Sequence, residues 1–186
     1  MDDKELWEKL KHGDQEALKQ IYNSQIENLL QYGQRFCRDR ETVEDCLHDL
    51  FIYIWNNREG LSSTDSIQRY LMVALRRRVI QHLKGQPGEL SDKNLSFHCD
   101  LSIEEKWIQE EQSEEVENSL QAAFTHLSDR QKEAIYLKYY QQMSYEAICE
   151  IMDLNYQSAR NLIFNGLKAL RQVMTILINL LFFLKL

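Results

Sequence analysis

Pro87 is the only proline in the chain, and it stands in the run Gly85-Gln86-Pro87-Gly88. Proline and glycine are the residues that most strongly interrupt helices. Two of the six glycines flank Pro87 and the other four are scattered singly, so the rest of the sequence is free to be helical. The six glycines and one proline among 186 residues therefore predict an all-α protein that changes character near residue 85.

Capping signals divide the two sides. Asp14 precedes a run with apolar positions at Leu18, Ile21, Tyr22, Leu29, Tyr32 and Phe36. Thr42 and Asp45 have the spacing of a capping box and are expected to open a helix to about Asn56, with Cys46, Leu47, Leu50, Phe51, Ile54 and Trp55 on its apolar stripe. A polar loop follows to Asp65, then a helix from about Ser66 to Lys84. Beyond the Gly-Pro run the sequence is polar and patternless to about Asp100, which reads as a linker, and Ser102 to Glu105 have the spacing to cap an acidic helix. Ser128 and Gln131 form a capping box, Ser144 starts YEAICEIM, and Asn155 starts YQSARNLIFNGLKALRQ. No segment sustains strand alternation. The expected architecture is two small helical domains, 1–84 and 113–171, joined by an acidic linker 85–112 and followed by an apolar tail 172–186.

The net charge of −7 is unevenly placed. Residues 1–84 hold 13 Lys/Arg against 14 Asp/Glu, residues 85–118 hold 2 against 10, and residues 119–186 hold 7 against 5. The acidity belongs to the middle, so nucleic-acid binding by the flanking domains is compatible with it. The cysteines Cys37, Cys46, Cys99 and Cys149 form no CxxC pair and read as reduced thiols of a cytoplasmic protein. His98 beside Cys99 lacks the further ligands of a zinc site. No signal peptide, phosphate-binding glycine loop, HExxH or nucleophile motif appears, so no cofactor, metal, small-molecule substrate or enzymatic activity is expected.

The most informative segment is 144–171. A short helix, Tyr145–Met152, meets a longer one from Tyr156 through Asp153-Leu154-Asn155, the spacing of a helix-turn-helix. Ala147 is small where the helices approach, and Ile148, Leu154, Leu162 and Ile163 can share a core. Asp153 occupies the turn position where glycine is usual, and aspartate tolerates left-handed backbone better than most residues. Gln157, Ser158, Arg160, Asn161, Phe164 and Lys168 are then exposed. Arginine reads guanine edges, Asn and Gln read adenine, and Ser and Lys take phosphates. A helical hairpin with a solvated polar face would show the same pattern.

The segment LQAAFTHLSDRQKEAIYLKYYQQMSYEAICEIMDLNYQSARNLIFNGLKALRQ resembles region 4 of the extracytoplasmic-function sigma factors. Residues 14–84 resemble region 2: VEDCLHDLFIYIW is similar to the helix that grips the polymerase clamp, and YLMVALRRRVIQHLKG to the helix that holds the −10 element. The sequence departs from the family with Ser128 where proline is common, with Ala147 and Cys149 at the usual Ile-Ala pair, and with Arg77 and Gln81 where Asn and Asp are frequent. These departures bear on which promoter is read.

The resemblance implies a sigma factor that binds core RNA polymerase through the clamp of its largest subunit and directs it to promoter DNA, with an anti-sigma factor as a further partner. Asp45, His48, Asp49, Phe51 and Ile52 would meet the polymerase, leaving Leu47, Leu50 and Ile54 as core. Asn57, Arg69, Arg76, Arg77, His82 and Lys84 would hold the opened −10 element, and the 157–168 set the −35 element. Successive helical residues point about 100° apart, so at most two of Arg76, Arg77 and Arg78 can follow one phosphate line. The linker would occupy a basic channel of the polymerase or act as a solubilising spacer. A helix-turn-helix regulator acting without the polymerase is the alternative, but it leaves residues 41–84 without a role. The tail VMTILINLLFFLKL, 14 residues long, is shorter than the roughly 20 a bilayer span requires, and is expected to dock on its own domain or on a protein partner.

Overall fold

The computed structural model describes residues 2–85, 96–98 and 124–184, and side chains as far as residue 172. Among these residues every regular element is helical. The chain forms two units, Met1–Ser96 and Phe97–Leu186.

The first unit contains α1 (Asp3–Lys11), α2 (Gln15–Gln34), α3 (Arg40–Asn56), a 3-10 turn at Arg58–Gly60, and α4 (Ile67–Lys84). Gly13, at φ +86, makes the left-handed turn between α1 and α2, and the Asp14 carboxylate then accepts the Glu16 and Ala17 N–H groups to cap α2. The apolar stripes of α2, α3 and α4 meet in one core whose fully enclosed members include Leu29, Leu47, Leu50, Ile54, Leu71, Met72 and Leu75. Burying side chains of this size contributes about 1.5–3 kcal/mol each before chain entropy is counted. Trp7 of α1 is fully enclosed, lies 4.7 Å from the Tyr70 ring, and donates its indole N–H to the Ser62 carbonyl at 2.9 Å.

One boundary differs from expectation. The third helix begins at Arg40, two residues before Thr42, with Asp39 in the N-cap position. Thr42 donates its hydroxyl to the Asp39 carboxylate at 2.5 Å, so it supports the cap instead of being one. That hydroxyl also holds the Asp39 carboxyl below its ordinary value.

The second unit contains α5 (Asp129–Ile135), continued as a π turn over Tyr136–Tyr140, then α6 (Tyr145–Met152) and α7 (Tyr156–Leu184). The Ser128–Gln131 capping box at the start of α5 is complete. Phe124, Leu127 and Ile135 form a cluster against which Ala169 and Leu170 of α7 pack. Phe97 lies in the stretch that reads as a linker, yet it is 1% exposed. Its N–H donates to Asp129 Oδ1 at 3.0 Å and its ring sits 5.7 Å from Tyr136, so the second unit reaches back to it. The helix of the second half of the turn motif does not stop near Arg171: α7 runs unbroken to Leu184. The proposed acidic helix at 102–108 and the side chains of the tail lie outside the described residues.

Candidate nucleic-acid interface

Three exposed helical faces carry the expected site residues, two in the first unit and one in the second.

In the second unit, Ser144 caps α6 by accepting the Ala147 N–H at 3.1 Å, and Asn155 caps the start of α7 by accepting the Ser158 N–H at 2.8 Å. Between them Asp153 adopts the left-handed conformation, φ 52 and ψ 61, that ends α6. Ala147, Ile148, Ala159 and Ile163 close the angle between the two helices, with Leu154 and Leu162 half-buried at its edges. With this face inward, Gln157, Arg160, Asn161, Phe164 and Lys168 are exposed on the other, and Ser158 is half-buried beside the cap. At about 100° per residue, Gln157, Asn161, Phe164 and Lys168 fall on one line along α7 with Arg160 beside it. Phe164 is 66% exposed. Asn165, four residues after Asn161, is exposed next to this line and was legible from that spacing. At the head of the motif, Tyr145 lies 5.5 Å from Tyr156, and the Lys138 ammonium sits 4.8 Å over the Tyr145 ring. Glu146 is held below its ordinary value by its own N–H and by the Ser144 hydroxyl, as a carboxylate in a first helical turn should be.

In the first unit, α3 turns Asp45, His48, Asp49 and Ile52 to solvent on a single stripe. Phe51 does not belong with them. It is 7% exposed and meets the Tyr22 ring edge-on at 5.0 Å, because its position on the wheel faces α2. Tyr53, 49% exposed and four residues beyond Asp49, takes its place on the open side. The Arg78 guanidinium lies 5.2 Å over the Tyr53 ring.

The cations of α4 divide by the same geometry. Arg69, Arg76, Arg77 and Lys84 fall within about 100° of one another around the helix, whereas Arg78 and His82 are on the far side. Arg77 and Lys84 are exposed, and Arg76 is half-buried with its guanidinium 5.9 Å over Phe36. Arg69 holds the carboxylate of Asp65 one turn before it. His82 is exposed and close enough to Asp39 for its charge to favour the carboxylate. Asn57 is exposed at the end of α3, where its side-chain amide donates to the Tyr53 carbonyl at 2.8 Å. The loop between Asn57 and α4 is pinned from α1: Ser63 donates to Glu8 at 3.0 Å, and Asp3 accepts the Ile67 N–H at 2.9 Å.

Burial pushes the Cys46 and Cys149 thiols up, the reverse of what an activated thiolate requires.

Comparison with known proteins agrees with this geometry. Residues 117–170 match the family model described as Sigma-70, region 4. Among solved structures the chain is similar to the sigma factor RpoE from Bartonella quintana, seen in a co-crystal with the anti-sigma factor NepR. The two are 17% identical with a TM-score of 0.60, over 85% of this chain and 96% of that chain. No curated protein matches the chain. The family match is confined to residues 117–170, and the likeness to that sigma factor over the rest of the chain is one of fold. No described helix is long and apolar enough to cross a membrane.

Proposed function

We propose that this protein is an extracytoplasmic-function sigma factor: it binds core RNA polymerase, directs it to a promoter, reads the −35 element with α7 and holds the opened −10 element with α4. The observation that carries the reading is the exposed line Gln157–Asn161–Phe164–Lys168, with Arg160, on the second helix of a segment that matches sigma-70 region 4. It combines groups for base edges, an apolar ring suited to a thymine methyl, and a cation for phosphate.

The first unit supports the rest. The α3 stripe of Asp45, His48, Asp49 and Ile52 pairs carboxylates with exposed apolar surface, and this suits a basic helical partner such as the polymerase clamp. The Arg76, Arg77 and Lys84 face of α4 suits the backbone of a single strand, and the pinned loop at Asn57–Asp65 is a firm wall beside which an unstacked base can be held. An anti-sigma protein is proposed as a second partner, by likeness to the complexed RpoE. On this reading the factor acts by binding, without catalysis of its own, in the cytoplasm.

The test is co-migration of the full chain with core RNA polymerase on gel filtration. Comigration lost on Asp45→Lys/Asp49→Lys with helicity unchanged supports the assignment, whereas a chain that binds duplex DNA but never core polymerase points to a free-standing regulator.

A further inference from the structure

On α7 the Gln157 side-chain amide donates from Nε2 to Oδ1 of Asn161 at 3.0 Å, one turn along the exposed face. This bond fixes more than a contact. An amide side chain offers one acceptor and two donor hydrogens, and it can ordinarily rotate to present either edge. Once Gln157 gives a hydrogen to Asn161 Oδ1, its own Oε1 is left as the acceptor that faces away. Asn161, its oxygen engaged, presents its Nδ2 hydrogens as donors. The bond holds Gln157 Oε1 as an acceptor and Asn161 Nδ2 as a donor in that order along the helix, with the second Nε2 hydrogen and the second Oδ1 lone pair between them, and both residues are exposed.

Among single bases, adenine alone offers a donor beside an acceptor in the major groove to complement that order. Adenine offers the N6 amine as donor and N7 as acceptor; guanine offers two acceptors, cytosine a donor alone, and thymine an acceptor beside a methyl group. We infer that Gln157 and Asn161 act as one preorganised adenine reader, with Gln157 Oε1 accepting from the N6 amine and Asn161 Nδ2 donating to N7, and that they set adenine at one position of the element bound by α7. The inference rests on the proposed reading of α7 as the −35 helix and assigns its base chemistry. Because the pair is already bonded in the free protein, less side-chain freedom is lost on binding than two independent amides would lose. Arg160 and Phe164 are exposed beside the pair on the same helix and would meet neighbouring base steps, so the adenine is expected inside the element and not at its border.

The experiment begins with the full chain bound to core RNA polymerase and a random duplex library, from which the preferred element is enriched. Each adenine of that element is then replaced singly, once by 7-deazaadenine, which lacks N7, and once by purine, which lacks the N6 amine. At one adenine both replacements should weaken binding, by about three- to tenfold each, a share of what a good bidentate base contact contributes. Asn161→Asp should bind the natural element correspondingly less well and become insensitive to 7-deazaadenine there while still sensing purine. Gln157→Met should show the opposite pattern. All these side chains are exposed, so folding is not at stake, and circular dichroism checks it. An enriched element in which no adenine responds to either replacement, or in which Asn161→Asp keeps its sensitivity to N7, overturns the inference and leaves the region 4 reading standing. Failure to enrich any element overturns both.

Discussion

Gly33 offers a sharp test of how the first unit is packed. It lies on α2 where that helix passes α3, and a Cβ at this position would stand 2.4 Å from Val43 Cγ1 and 3.6 Å from Leu75 Cδ2. Both neighbours are fully enclosed, and valine in a helix has essentially one χ1 well, so Val43 cannot swing aside. Forcing a methyl into such a site costs about 1–3 kcal/mol. Alanine returns about 1 kcal/mol through its better helix propensity. Gly33→Ala should therefore destabilise the unit by about 1 kcal/mol net, which lowers the midpoint of a domain this size by about 4–8 °C. Gly60→Ala is the control, since nothing lies within 4 Å of its Cβ position, and it should shift the midpoint little. Adding Val43→Ala to Gly33→Ala should cost less than Val43→Ala costs by itself, because the new methyl then occupies vacated space. The assay is scanning calorimetry of the full chain, with the transition of the first unit assigned by hydrogen exchange at the α2 and α3 amides. A Gly33→Ala protein that melts at or above the parent temperature would refute the close approach.

Other outcomes follow from the same geometry. Arg160→Ala should lose about 1–3 kcal/mol of discrimination at one base position of the −35 element, while Lys168→Ala should weaken all sequences alike and lower the salt slope by about 1; identical profiles across a promoter library would undo this division of roles. Thr42→Val should raise the Asp39 titration midpoint, read by NMR, because the hydroxyl that lowers it is gone. A lowered carboxylate contributes stability above its ordinary value and loses it as pH falls through the folded one, so Thr42→Val should flatten the acid limb of the stability curve there. Removing residues 173–186 should alter oligomeric state, anti-sigma binding or stability of the second unit and leave cellular fractionation unchanged; a membrane-bound full chain with a soluble truncated form would contradict this.

The helix starts were the most legible feature, because a cap is a local device: Asp14, Ser66, Ser128 with Gln131, Ser144 and Asn155 all cap where their sequence context places them. Thr42 misleads for a related reason. Its hydroxyl does serve a helix start, but by donating to a carboxylate three residues earlier, and the spacing does not reveal the direction of that bond. Phe51 sits at the margin of an amphipathic stripe, where only the packed neighbour, here Tyr22, decides which side it takes. The π turn at Tyr136–Tyr140 adds a residue to a turn without any breaker to announce it. Phe97 is an isolated anchor in a polar stretch, and a single buried ring has no period to detect. The exposed polar face of α7 emerged from sequence because it repeats with the helix, whereas the bond between Gln157 and Asn161 depends on rotamers that no spacing reveals.

A sigma factor shows itself in where transcription begins. Core RNA polymerase and this protein are combined on genomic DNA of the source organism, and the 5′ ends of the transcripts are sequenced. New start sites should appear only with the protein present, share one pair of upstream elements, and vanish with Asp45→Lys/Asp49→Lys. Start sites identical to those made by core polymerase alone, with the wild-type chain present and folded, would contradict the proposed function.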